Sequence, residues 1–103
     1  MANYLLVYHG GSMPQTPEES AGVMTAWNAW FGQLGAALVD GGNPASATRT
    51  IAPNGTVSDD PAGPTGYSIL KADSLDAAVA LAKGCPVLAG GASVQVVETF
   101  NAM

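Results

Sequence analysis

A chain of 103 residues has room for one domain and one modest core. Its 48% hydrophobic and 11% charged composition falls well short of the ~25% charged residues usual in soluble domains. So few charges cannot coat a monomer's whole surface, and a buried subunit interface would resolve the shortage. Three basic residues against eight acidic ones give a net charge of −5. That excludes nucleic acid and an anionic membrane surface as partners, since both require clustered Lys and Arg.

The first element is the run Tyr4-Leu5-Leu6-Val7-Tyr8, apolar at every position and stopped by Gly10-Gly11. A strand apolar on both faces is covered on both, so it belongs in the middle of a sheet. Thr16-Pro17-Glu18-Glu19 then starts a helix, with Thr16 as N-cap, Pro17 in the first turn and Glu19 at the capping-box position. Val23, Trp27, Trp30, Leu34 and Leu38 recur at spacings of three and four, which predicts one apolar stripe and a helix running to about Leu38. Val39 to Pro44 ends it.

Between Ala45 and Ser58 the pattern predicts a hairpin, with Thr48-Arg49-Thr50-Ile51 as a strand and Pro53-Asn54-Gly55-Thr56 as its turn. Flanking prolines place this hairpin at a sheet edge. The acidic loop Asp59 to Gly66 leads into a strand at Tyr67-Ser68-Ile69-Leu70. Ser74 caps a second helix over Leu75 to Lys83, with Gly84 as a left-handed cap and Pro86 preventing continuation. The last strand is Val94 to Phe100.

The order strand, helix, hairpin strands, strand, helix, strand predicts one α+β domain over 1–103. Its core is the ferredoxin-like split βαβ, an antiparallel sheet with an extra hairpin arm. Two helices on one sheet face leave the other bare, and a second copy of the chain is the simplest cover.

Several short motifs, in order, resemble one family. Tyr4-Leu5-Leu6-Val7, the Trp-containing helix, Leu38-Val39-Asp40-Gly41-Gly42, Asp59-Asp60-Pro61-Ala62 before Gly66-Tyr67-Ser68-Ile69, and Ser74-Leu75-Asp76-Ala77-Ala78 make the set. Together they are similar to the YCII-related family, in the branch with a DGPF motif. The resemblance implies a homodimeric α+β barrel with a small-molecule pocket between sheet and partner. It also implies, for enzyme-like relatives, a His–Asp pair and dehydrochlorinase-type chemistry. Two departures stand out. Only Asp59 and Pro61 carry over from the DGPF motif, and the first helix offers Trp27-Asn28 where the enzyme-like branch has a histidine.

His9, the only histidine, ends the first strand and is the candidate acid–base group, with Asp59 or Asp60 to orient it. The plainer alternative is a strand-terminal histidine facing solvent or a loop. Asp before Pro more often caps a turn than does acid–base work, and the turn is the stronger reading for Asp59-Asp60. Arg49 is a candidate clamp for a ligand carboxylate or phosphate, or an edge charge that discourages sheet pairing. Tyr8 and Tyr67 are candidate hydrogen-bond donors to a ligand. Trp27, Trp30 and Phe31, at helical spacing, read as core before pocket. Cys85, a single cysteine, gives no internal disulfide and has no neighbouring base to activate it. No metal-ligand spacing or cofactor motif is present. The start of the chain has no charged flank and no long apolar run, so a cytoplasmic location is expected.

Overall fold

The computed structural model describes residues 1–102. In chain order the elements are β1 (Ala2–Gly10), α1 (Pro17–Leu34), β2 (Leu38–Asp40), β3 (Arg49–Ile51), β4 (Val57–Asp59), β5 (Gly66–Ala72), α2 (Leu75–Ala82) and β6 (Ala92–Glu98). Short 3₁₀ turns at Gly35–Ala37 and Pro86–Gly90 join them. Four strands form one sheet in the order β2-β5-β1-β6, and β3-β4 stand apart as a two-stranded arm. With β1 antiparallel to both β5 and β6, this is the ferredoxin-like α+β fold.

The two-sided apolar run does occupy the centre of the sheet. Tyr4, Leu6 and Tyr8 are buried beneath the helices, whereas Leu5, Val7 and His9 on the alternate positions are half-buried. β5 repeats the pattern, with Ser68, Leu70 and Ala72 inward and Tyr67, Ile69 and Lys71 on the other face. Leu6, Tyr8, Trp30, Leu34, Leu70, Ala82 and Cys85 make the principal core. A smaller cluster of Tyr4, Ala72 and Ala78 lies under α2.

Both helix starts follow the local chemistry. Thr16 Oγ1 accepts from the Glu19 N–H at 3.1 Å, and Ser74 Oγ accepts from the Ala77 N–H at 3.1 Å. Glu19 reaches back one residue further than a capping box requires, accepting from the Gln15 N–H at 2.5 Å.

Three expectations are corrected. The first helix stops at Leu34, four residues early, because Gly35 at φ 54° leaves the helical region; its N–H makes the last ladder bond, to the Phe31 carbonyl. Leu38 then enters the core from the edge strand β2, paired to Leu70, so it satisfies the apolar stripe without being helical. The hairpin is not an edge of the main sheet: Arg49 pairs with Asp59 and Ile51 with Val57 in a sheet of their own. Gly84 is not left-handed. Lys83 caps α2 in ordinary helical geometry, and Gly84 packs flat on Trp30, where a Cβ would lie 3.2 Å from Nε1.

Both helices lie on one side. The molecule is a slab with extents of 44 × 38 × 18 Å and a radius of gyration of 15.1 Å. A rounded domain of this length has a radius of gyration of about 13 Å. The excess reflects one sheet layer, one helix layer and a projecting arm, with no layer on the second sheet face among the described residues.

Candidate functional site

The open face is built from alternate residues of three adjacent strands. β1 contributes Leu5, Val7 and His9; β5 contributes Tyr67, Ile69 and Lys71; β6 contributes Ser93, Gln95 and Val97. Register sets the rows. Val97, Leu5 and Ile69 stand side by side, the next row is Gln95, Val7 and Tyr67, and Ser93 faces His9 beyond them. The surface is therefore apolar at its middle and polar at both ends, with Lys71 beside Asn3 where β1 starts and His9 where it finishes. Among these nine positions Lys71 is the fixed cation and none is a carboxylate, although the chain carries a net charge of −5. The face suits a flat molecule with an apolar body and a polar or anionic end.

His9 Nε2 lies 2.7 Å from Gln95 Oε1. With the amide oxygen accepting, Nε2 carries the proton and Nδ1 is left as the basic nitrogen. The Gln amide fixes the orientation of the ring through this bond.

Asp59 goes elsewhere. Its Oδ1 is 3.3 Å from Arg49 Nε, across the β3–β4 pair on the separate arm, with both side chains largely in water. An ion pair this exposed contributes about 0–1 kcal/mol. His9 and Asp59 thus have different partners on different sheets. Asp60 takes the turn role: its Oδ1 accepts from the Ala62 N–H at 3.0 Å, and its own N–H bonds the Thr48 carbonyl at the base of the arm.

Tyr8 is a correction. It is adjacent to His9 in sequence, so strand alternation sends it to the opposite face, where it is 4% exposed against Trp27. Its hydroxyl donates to Ser68 Oγ at 2.6 Å, and Ser68 in turn donates to the Gly41 carbonyl at 2.8 Å. Burial pushes the Tyr8 hydroxyl far above the ordinary phenol range, and burial also raises the Cys85 thiol. Tyr8 is a core residue rather than a ligand donor. Tyr67, in the row with Val7 and Gln95, is on the open face as a binding role requires.

Two concavities lie off this face. A cleft of about 560 Å³ runs between the start of α1, the loop 11–15 and the Pro86–Gly90 turn, walled by Met13, Val23, Ala26, Trp27, Val87 and Ala92. Trp27 therefore does double duty, packing on the core and flooring this cleft, whereas Trp30 is wholly core and donates Nε1–H to the Leu81 carbonyl at 3.2 Å. The second, about 400 Å³, lies at the base of the arm among Thr48, Arg49, Asp59, Asp60 and Pro64. Arg49, Asp59 and Asp60 meet there, apart from His9 and Tyr67. Among the described residues no cluster of His, Cys, Asp and Glu is placed to hold a metal, and no helix is long and apolar enough to cross a membrane.

Gln95 and Ser68 escaped the sequence reading. Alternation along the last strand marks Gln95 as facing away from Val94 and Val96, but only the β1–β6 register puts it beside His9. No protein-family model and no curated protein matches this chain.

Proposed function

We propose that this chain is a homodimeric small-molecule-binding module of the YCII-related type, acting in the cytoplasm. Its ligand would lie between the open sheet face and the partner subunit. The carrying observation is that face itself: Leu5, Val7, Ile69 and Val97 form an apolar platform with no intrachain cover, ending in His9, Gln95 and Tyr67. An apolar floor with a few polar groups at one end is the usual composition of a ligand site. The His9 imidazole, the Gln95 amide and the Tyr67 hydroxyl at that end favour a ligand bearing a hydroxyl or carboxylate that they can hydrogen-bond.

The lyase-like alternative uses His9 and Asp59 as an acid–base pair. It requires Asp59 to exchange Arg49 for His9, and binding needs no such rearrangement. The test is titration of the protein with small hydroxylated aromatic acids, followed by NMR shifts of the backbone amides of β1, β5 and β6. Binding should perturb Val7, Tyr67 and Gln95 and weaken about tenfold in His9→Ala, equivalent to about 1.4 kcal/mol. Shifts confined to the α1 cleft would contradict the proposal. Turnover of such an acid, abolished by both His9→Ala and Asp59→Asn, would replace it with the enzyme reading.

A further inference from the structure

The β3–β4 arm exposes apolar side chains that the chain itself does not cover. Ile51 is 72% exposed and Val57 56% exposed. They are directly opposed in the antiparallel pair, so both point to the same face of the arm, which also carries the Arg49–Asp59 pair two residues along. A lone two-stranded hairpin in water is at best marginally stable, and it gains little from its one exposed ion pair. Such a hairpin is stable when its apolar face is laid against something.

The size of the open sheet face indicates what that is. The three long strands at ~4.8 Å spacing, with seven residues at ~3.3 Å each, describe a face of about 14 × 23 Å in projection, or about 330 Å². A stable interface buries about 800 Å² on each partner. Side-chain relief makes up part of the difference, but β2 contributes only three residues to the sheet. Sheet contact alone therefore falls short of a stable dimer.

The arm stands where it can supply the rest. Its base is tied to the end of β1: the Thr65 N–H bonds the Tyr8 carbonyl, the Ala45 N–H bonds the Thr65 carbonyl, and Pro44 bridges to Gly66. This is the end of the sheet that carries His9. Arg49 and Asp59 cancel within the arm, so it can approach a partner of net charge −5 without adding repulsion.

We infer that the β3–β4 arm is a dimer clasp: in a twofold pair, each arm lays its Ile51–Val57 face on the partner subunit and completes the area that sheet contact leaves short. This rests on the dimer proposed above and specifies what holds it. Twofold symmetry duplicates the clasp, so every arm substitution acts twice in the dimer.

The experiment is sedimentation equilibrium on three full-length or near-full-length proteins. These are the wild type, Ile51→Asp/Val57→Asp, and a variant with residues 49–59 replaced by two glycines. The Asp60 N–H already bonds the Thr48 carbonyl at 3.0 Å, so the excised ends can be closed by a short turn. Far-ultraviolet circular dichroism monitors the main sheet, and the point variant serves the test if the excised one does not fold. The clasp predicts that the dimer Kd rises more than about 30-fold in each folded variant, equivalent to about 2 kcal/mol. A dimeric wild type whose folded arm variants stay within threefold of its Kd would overturn the clasp and leave the dimer standing. A monomeric wild type would overturn the dimer, and the clasp with it.

Discussion

Removing the Ser68 hydroxyl should cost more than removing the phenol that points at it. Ser68 is fully buried and makes two bonds, accepting from the Tyr8 hydroxyl at 2.6 Å and donating to the Gly41 carbonyl at 2.8 Å. Ser68→Ala leaves a phenol in the core with only the weak sulfur acceptor of Cys85 and a half-buried carbonyl that has lost its donor. A buried group left unpaired costs about 1–3 kcal/mol. The phenol belongs near the top of that range, being 4% exposed, and the Gly41 carbonyl near the bottom, because that glycine reaches water. The expected total is about 2–4 kcal/mol. Tyr8→Phe leaves the Ser68–Gly41 bond intact and should cost about 1 kcal/mol. In the double variant no phenol is left unpaired, so the two costs should fall short of additive by about 1–2 kcal/mol. Urea unfolding at one fixed protein concentration measures all three, the fixed concentration being necessary because association adds to apparent stability. Additive costs, or a Ser68→Ala cost under about 0.5 kcal/mol, would refute the hydrogen-bond chain as described.

Alkaline pH should destabilise the fold. Tyr8 and Cys85 have folded pKa values raised by burial above their ordinary values of 10.0 and 9.0. Their stabilisation is therefore complete below those ordinary values and is lost as pH rises past them, by about 1.4 kcal/mol per pH unit for each titrating group. Urea midpoints from pH 7 to 11 should be level to about pH 8.5 and fall thereafter, with a shallower fall above pH 10 in Tyr8→Phe; a rising profile would contradict the burial of both groups. Trp30→Ala should cost about 3–5 kcal/mol by emptying a core site, and Trp30→Phe about 1–2 kcal/mol, chiefly through the lost bond to the Leu81 carbonyl. Gly42→Ala should be among the most damaging small changes, above about 3 kcal/mol, because a Cβ there collides with the Tyr67 carbonyl oxygen and the backbone sits at φ +75°. Amide exchange of β2 should speed up in that variant more than exchange of β1; unchanged exchange would show that the β2–β5 edge does not depend on the glycine.

The parts of the fold that were legible in the sequence are those specified by neighbouring residues. Five consecutive apolar positions at Tyr4–Tyr8 require cover on both faces, and β1 is central. Thr16-Pro17 and Ser74 cap their helices through bonds that span three residues. Asn54-Gly55 turns the arm, with Gly55 at φ +90°. The end of α1 was not legible because Leu38 continues the helical spacing of Leu34 while reaching the core from a strand, and only Gly35 marks the break. The site was half legible. Alternation groups His9 with Leu5 and Val7 and, separately, Tyr67 with Ile69, but the sequence does not give the pairing of β1 with β5 and β6, which puts Tyr67 on the face of His9 and brings Gln95 to it. The same alternation, applied strictly, would have turned Tyr8 away from His9. Asp59 was separated from His9 by tertiary placement: its cross-strand neighbour in the arm is Arg49, and that pairing is local.

The central claim is that a second copy of the chain covers the open sheet face. Sedimentation equilibrium at about 10 μM, above the micromolar weak end of the range for interfaces of standard size, tests it most directly. The wild type should sediment at twice the chain mass. Val7→Asp, which places an unpaired charge in the middle of the apolar platform, should sediment at the single-chain mass while keeping its circular dichroism. A wild type at the single-chain mass, or a Val7→Asp variant that remains fully dimeric, would contradict the account.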